Sequence, residues 1–113
     1  MIKNMPIAEA VVLADLVTYQ PGQVVSRTLA QSNQTTLTLF AFPAGEGLSA
    51  HTSPSDALAI ILDGRAAITI GENEMILGAG ETVVMPASVS HALEATEPFK
   101  MLLITVKDAA PKE

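Results

Sequence analysis

Turn residues punctuate this chain at intervals of roughly 8–12 residues, which leaves room for short strands and for little else. The signals are Pro21-Gly22, Pro43-Ala44-Gly45-Glu46-Gly47, Asp63-Gly64, Gly71-Glu72-Asn73, Gly78-Ala79-Gly80 and Pro86. Between them, Val24 to Ala30 sets Val25 and Leu29 against Ser26 and Thr28. Thr35 to Phe42 sets Leu37, Leu39 and Ala41 against Thr36, Thr38, Phe40 and Phe42. β-branched and aromatic residues at this density favour strands. Leu48 to His51, Glu74 to Leu77, Thr82 to Met85 and His91 to Ala95 read as further short strands, and Phe99 to Val106 as a long apolar one. Ala57 to Leu62 is a continuous apolar run ending in Asp63-Gly64, a hairpin signal that predicts Arg65 to Ile70 as its returning partner. Residues 10 to 17 fit a short strand and a single helical turn equally. No helical period is sustained anywhere. The count, about nine strands, predicts one all-β domain, an antiparallel sandwich or closed barrel.

With 113 residues the chain is one domain by size. Hydrophobic residues make up 49% and charged residues only 16%, with a mean hydropathy of +0.38. That balance argues for a well-buried domain, and for a surface partly covered by a partner. A second copy is the expected partner, since two-fold homodimers are the commonest soluble oligomers. The barrel core is expected over about 24–106, with the N-terminal segment 1–23 a candidate for the dimer interface and a frayed tail over 107–113. A net charge of −6 with scattered Lys and Arg gives no basic stripe, which excludes nucleic acid and anionic membrane surfaces as expected partners. There is no cysteine, hence no disulfide, thiolate nucleophile or Cys-based metal site. Glu9 and Asp15 interrupt the N-terminal apolar stretch, so no secretory signal is expected. No run approaches the ~18 apolar residues of a membrane span. A cytoplasmic location is the default expectation.

Only two histidines are present, and each closes a Gly-punctuated strand segment. His51 stands in Gly45-Glu-Gly-Leu-Ser-Ala-His51-Thr-Ser53-Pro-Ser-Asp56-Ala57, with Gly64 following. His91 stands in Gly80-Glu-Thr-Val-Val-Met85-Pro86-Ala-Ser88-Val-Ser-His91. These stretches resemble the paired signatures of the cupin superfamily: Gly45, His51 and Gly64 match the first, and Gly80, Pro86 and His91 the second. The resemblance covers roughly residues 36 to 105. It implies an antiparallel jelly-roll barrel (a double-stranded β-helix) with His51 and His91 pointing into one mouth, where metal-bearing relatives use those positions as ligands. Four positions depart: Ser53 stands for the second His, Ala57 for the acidic or amide ligand, Ser88 for Gly and Ala95 for Asn.

Two ligand positions are therefore missing, and transition-metal sites usually take three or more protein ligands. Asp56, next to Ala57, could complete a His51–His91–Asp56 set for one divalent ion (Zn, Ni, Mn or Fe). Strand alternation opposes this, because residues 56 and 57 face opposite ways. A bulge at Ser53-Pro54-Ser55 would relax that rule. The alternative is a site with no metal. The candidate residues are thus His51 and His91 as catalytic groups, with Ser53, Asp56 and Met85 as ligand-binding ones. The corresponding expectation is a barrel that binds a small polar metabolite, as a metal-assisted or imidazole-assisted isomerase of sugars or keto acids. The alternatives are a non-catalytic binding or sensor barrel, and a dimerisation scaffold.

Overall fold

The computed structural model describes residues 1–109. After a short 3-10 helix (Leu13–Leu16) come the strands β1 (Val25–Gln31), β2 (Thr35–Phe42), β3 (Gly47–His51) and β4 (Asp56–Ile70). β5 (Asn73–Gly78), β6 (Thr82–Met85), β7 (His91–Glu94) and β8 (Phe99–Val106) complete the described residues. Every named pairing is antiparallel. The helical turn resolves the ambiguity of residues 10 to 17.

β4 is the strand on which the two halves meet. Its first part pairs with β8 on one side and β6 on the other, extending through β2 and β1 into a first sheet. Its second part pairs with β5 and β7, and β7 with β3, forming a second sheet. The expected Asp63-Gly64 hairpin is thus corrected. The chain does not reverse there, and Ala57 to Leu62 never pairs with Arg65 to Ile70. Instead Gly64, at φ +71°, bends one continuous strand from the first sheet into the second. A Cβ at this position would collide with the backbone carbonyl of Pro98, so both the backbone angle and the close approach demand glycine. The Asp-Gly pair reported a positive φ correctly, but positive φ serves bends as well as turns.

Side-chain alternation then fills the space between the sheets. Phe42, Ala59, Ile61, Met101 and Phe99 from the first sheet meet Ala66, Ile68, Leu77 and Leu93 from the second, all essentially buried. Phe42 and Phe99 stack with ring centroids 4.6 Å apart, and Phe40 lies 5.7 Å from Phe42. Full burial of each such large side chain is worth about 1.5–3 kcal/mol.

The outer face of the first sheet carries a second apolar cluster. Leu29, Leu39 and Ala41 are buried there under Met5, Leu13, Leu16, Val17 and Tyr19 of the N-terminal segment. β2 is therefore apolar on both sides because both sides are covered: Leu39 and Ala41 by the N-terminal segment, Phe40 and Phe42 by the barrel core. That segment is pinned where β4 bends. The Tyr19 hydroxyl donates to Asp63 at 2.5 Å, while Lys100 Nζ donates to the Ala14 carbonyl at 2.8 Å and sits 5.1 Å over the Tyr19 ring. Lys100 takes the outward position expected of it. Lys107 N–H donates to the Gln34 carbonyl, which extends the ladder just past β8. The part of the frayed tail expected over 110–113 lies outside the described residues.

Two outcomes test this account. Gly64→Val should lower stability by about 1–3 kcal/mol in chemical denaturation, since it adds left-handed strain to a steric collision. The Tyr19 hydroxyl is held protonated well above its ordinary value of 10.0, first by burial and then by the hydrogen bond and charge of Asp63. The folded chain thus holds that proton more tightly than the unfolded one. Its contribution is whole below the ordinary phenol range and is lost as pH rises through the raised value. Tyrosinate absorbance, which reports a single residue here, should titrate late in the folded protein. The alkaline loss of stability above about pH 10 should be reduced in Tyr19→Phe.

Candidate functional site

β3 and β7 bring the two histidines side by side, and they do so through an irregularity. Leu48 pairs with Leu93 and His51 pairs with His91, so β3 spends three residues where β7 spends two. This is a β-bulge. A regular ladder would turn residue 51 to the face opposite Leu48. The extra residue in β3 returns it to the inner face, beside His91, which shares that face with the core residue Leu93. His91 also pairs with Ile70 at the end of β4. The two rings lie 4.4 Å apart between centroids, edge to face at 65°.

Their backbone partners fix how they present themselves. His51 Nδ1 lies 2.8 Å from the Ser49 carbonyl oxygen, and His91 Nδ1 lies 3.3 Å from that of Val89. A carbonyl oxygen only accepts, so in each neutral ring Nδ1 carries the proton and Nε2 keeps the free lone pair. His91 is 5% exposed and His51 is exposed. Among the described residues no buried side-chain nitrogen or oxygen lacks a partner. The Nε2 of His91, unclaimed by any neighbour, is therefore the atom of that ring that meets solvent. The pair offers two basic nitrogens, one from a shielded ring and one from an open ring.

Two loops frame the mouth and lock to each other. Ser88 N–H donates to the Ser53 carbonyl at 2.8 Å, Ala87 N–H donates to Asp56 Oδ1 at 2.8 Å, and Gly71 N–H donates to the Ser90 carbonyl at 2.8 Å. These bonds hold the start of the first sheet's β4 segment at the same end as the histidines. Ser88 keeps the left-handed conformation, φ +65°, where the family signature has glycine. A non-glycine residue there carries strain of about 1–3 kcal/mol, a burden typical of functional loops.

The other candidates are placed differently. Asp56 points outward and caps the Ala87 amide, as strand alternation requires, while Ala57 beside it faces the core with 4% exposure. The structure therefore does not bring Asp56 to the histidines, and the three-residue set with Asp56 is corrected. Among the described residues no group of three or more His, Asp or Glu side chains is gathered. Two imidazoles alone do not fit a resident ion of the three-ligand kind. Ser53 belongs to the rim, its Oγ accepting from Ser55 N–H at 3.2 Å. Met85 is 1% exposed and packed in the core cluster.

Sequence reasoning missed a hydroxyl pair on the inner face of the first sheet. Thr36 and Thr105 share the parity of Phe42 and Phe99, and Thr105 pairs with Ala57. Their Oγ1 atoms are 2.5 Å apart. The threonines of β2 had been visible only as the polar side of an alternating strand. A separate groove of about 330 Å³, with Gly47, Ser49, Thr69, Glu74, Ala92 and Glu94 in its lining, lies on the outer face of the second sheet, and neither histidine lines it.

The arrangement is an antiparallel barrel with an imidazole pair on its inner wall. A family model for the cupin domain matches residues 38–106, and the chain belongs to that family. It is similar to a conserved Streptococcus pyogenes protein of unknown function, at 40% identity and TM-score 0.93 over 96% of each chain. A cupin superfamily protein from Desulfitobacterium hafniense shares 36% identity, with TM-score 0.91 over 96% of this chain and 99% of the other. A cupin 2 conserved barrel domain protein from Leptotrichia buccalis shares 44% identity at TM-score 0.82 over 84% of this chain. The match spans only 46% of that protein. A search of curated proteins gives no match.

The ring contact has a direct spectroscopic consequence. In His91→Ala, the imidazole proton resonances of His51 should shift through loss of the neighbouring ring, and the reciprocal change should follow His51→Ala. Unchanged resonances in both variants would contradict the pairing of β3 with β7.

Proposed function

We propose that the barrel mouth binds a small polar metabolite through His51 and His91, and that the two imidazoles act on it as a proton donor and acceptor pair. The observation that carries this reading is the bulge-assisted pairing of the two rings. A regular strand would have turned His51 away, and the cost of the irregularity goes into bringing two basic nitrogens together. Neutral imidazole both donates and accepts near neutral pH, which suits proton transfer on a carbonyl or hydroxyl carbon. The reaction class is isomerisation of a sugar or keto acid. Ser53 supports the rim rather than touching the ligand.

A second reading has its own observation. Ala57 occupies the acidic ligand position and Asp56 faces outward, so the chain keeps the cup without a three-ligand set. That favours a non-catalytic binding or sensor barrel. No helix among the described residues is long and apolar enough to cross a membrane. The low charged fraction, 16%, supports reading the working unit as a homodimer.

A thermal-shift series on chelator-treated protein tests these readings together. One sugar acid, sugar or keto acid should stabilise the protein, by about 2.7 kcal/mol at a hundredfold excess over Kd. His51→Ala and His91→Ala should each lose that response. Turnover of the ligand selects the isomerase, and binding without turnover selects the sensor. A ligand bound equally well by both variants would overturn the placement of the site.

A further inference from the structure

We infer that the ligand of the mouth is an uncharged polyhydroxyl molecule, a neutral sugar, and that Thr36, Thr38 and Thr105 on the opposite wall hold its hydroxyls. The inference deepens the proposed binding role of His51 and His91 and rests on it. Register places the threonines. Thr36 pairs with Thr105 and Thr38 with Leu103, and all four share the inward parity of Phe42 and Phe99. Thr28 of β1 continues the wall, paired with Thr38.

Exposure changes along this inner face. Phe42, Phe99 and Met101 are sealed at 0%. Further from the Gly64 bend, Phe40, Leu103, Thr38, Thr36 and Thr105 are each partly open to solvent. The wall is therefore closed at one end and open at the other, and its hydroxyls sit on the open part. That part lies at the end of the histidines. Val106, next to Thr105, pairs with Asp56, whose carboxylate accepts from the Ala87 amide. The Ser53 carbonyl, just past His51, accepts from the amide of Ser88, just before His91.

The chemistry of the two walls then selects the ligand. Every Asp, Glu, Lys and Arg within the eight strands stands at an outward position, among them Arg27, Asp56, Glu94 and Lys100. Past β8, Lys107 sits in surface clefts with Asp56 and Asp108. A carboxylate drawn into the mouth would lose water without meeting a fixed cation, which is unfavourable. The neutral rings oppose it too. Their Nδ1 protons go to the Ser49 and Val89 carbonyls, so each Nε2 is left as an acceptor. A carboxylate oxygen brings another lone pair to that atom, whereas a sugar hydroxyl brings a proton. Threonine hydroxyls both donate and accept, which suits the remaining hydroxyls of such a ligand. Phe40 and Leu103 beside them supply apolar surface for its C–H face. Of the two substrate classes proposed above, the walls thus favour the sugar over the keto acid.

Titrations of the native chain at pH 8, followed by methyl NMR, test this with D-glucose, D-galactose and D-mannose, each against its uronic acid. One neutral sugar should bind, and its uronate should bind at least about tenfold more weakly. The methyl resonances of Thr36, Thr38 and Thr105 should move with the sugar. Thr36→Val and Thr38→Val keep the side-chain outline and should each weaken binding about three- to tenfold. Thr69→Val, on the outer face of the second sheet, should leave it unchanged. A uronate, or pyruvate, bound more tightly than any of the neutral sugars and released by His91→Ala would overturn the neutral-sugar assignment and leave the site. A sugar bound equally well by both threonine variants, with the native threonine methyls unmoved, would overturn the role of the wall alone. Should a variant fail to fold, the methyl shifts of the native chain decide. Binding untouched by His51→Ala and His91→Ala would overturn the site and this inference together, as would a panel in which nothing binds.

Discussion

A single strand is asked to belong to two sheets. β4 contributes its first half to one layer and its second half to the other, and each half has pairing partners on both sides. The change of direction happens without a loop, and the ladder to β8 shifts register between Ile61 and Asp63, just before the bend. Gly64 makes that possible. It accepts a left-handed angle and lets the Pro98 carbonyl approach to where a side chain would stand. The core between the sheets, the stacked Phe42 and Phe99, and the anchoring of the N-terminal segment at Asp63 all follow from the bend.

The imidazole pair depends on a second local departure from regularity. The extra residue in β3 changes which face His51 uses, and the backbone carbonyls of Ser49 and Val89 then orient both rings. One device makes the barrel and another makes its site. At the mouth, the loops leaving β3 and β6 are bonded to each other. In each case the chain gives up an ideal ladder for a fixed direction, which is the usual role of bulges near binding sites.

Much of this was legible in the sequence, and the failures have physical causes. Thr35–Phe42 and Phe99–Val106 announce their own limits, because turn residues or polar breaks flank strongly β-forming runs. Strand alternation opposes an inward Asp56, and the capping bond to Ala87 shows what its outward carboxylate does. Asp63-Gly64 misled because residue type reports a backbone angle, whereas chain reversal depends on what the neighbouring strands do. The bulge between Leu48 and His51 has no compositional signature, being a mismatch of lengths between strands far apart in sequence. The same holds for Thr36 and Thr105, whose meeting depends on the register of β2 against β8. Met85 reads as a flexible pocket residue by type, and only burial separates that role from core filling.

The cross-bonded rim has a consequence for recognition. Ser88 to Ser53, Ala87 to Asp56 and Gly71 to Ser90 join segments that are distant in sequence. Arriving solutes thus meet walls already settled in position, and little conformational freedom remains to be surrendered on capture. On the proposed reading as a binding cup, discrimination rests on fit to a rigid opening rather than on a gate that folds over its guest.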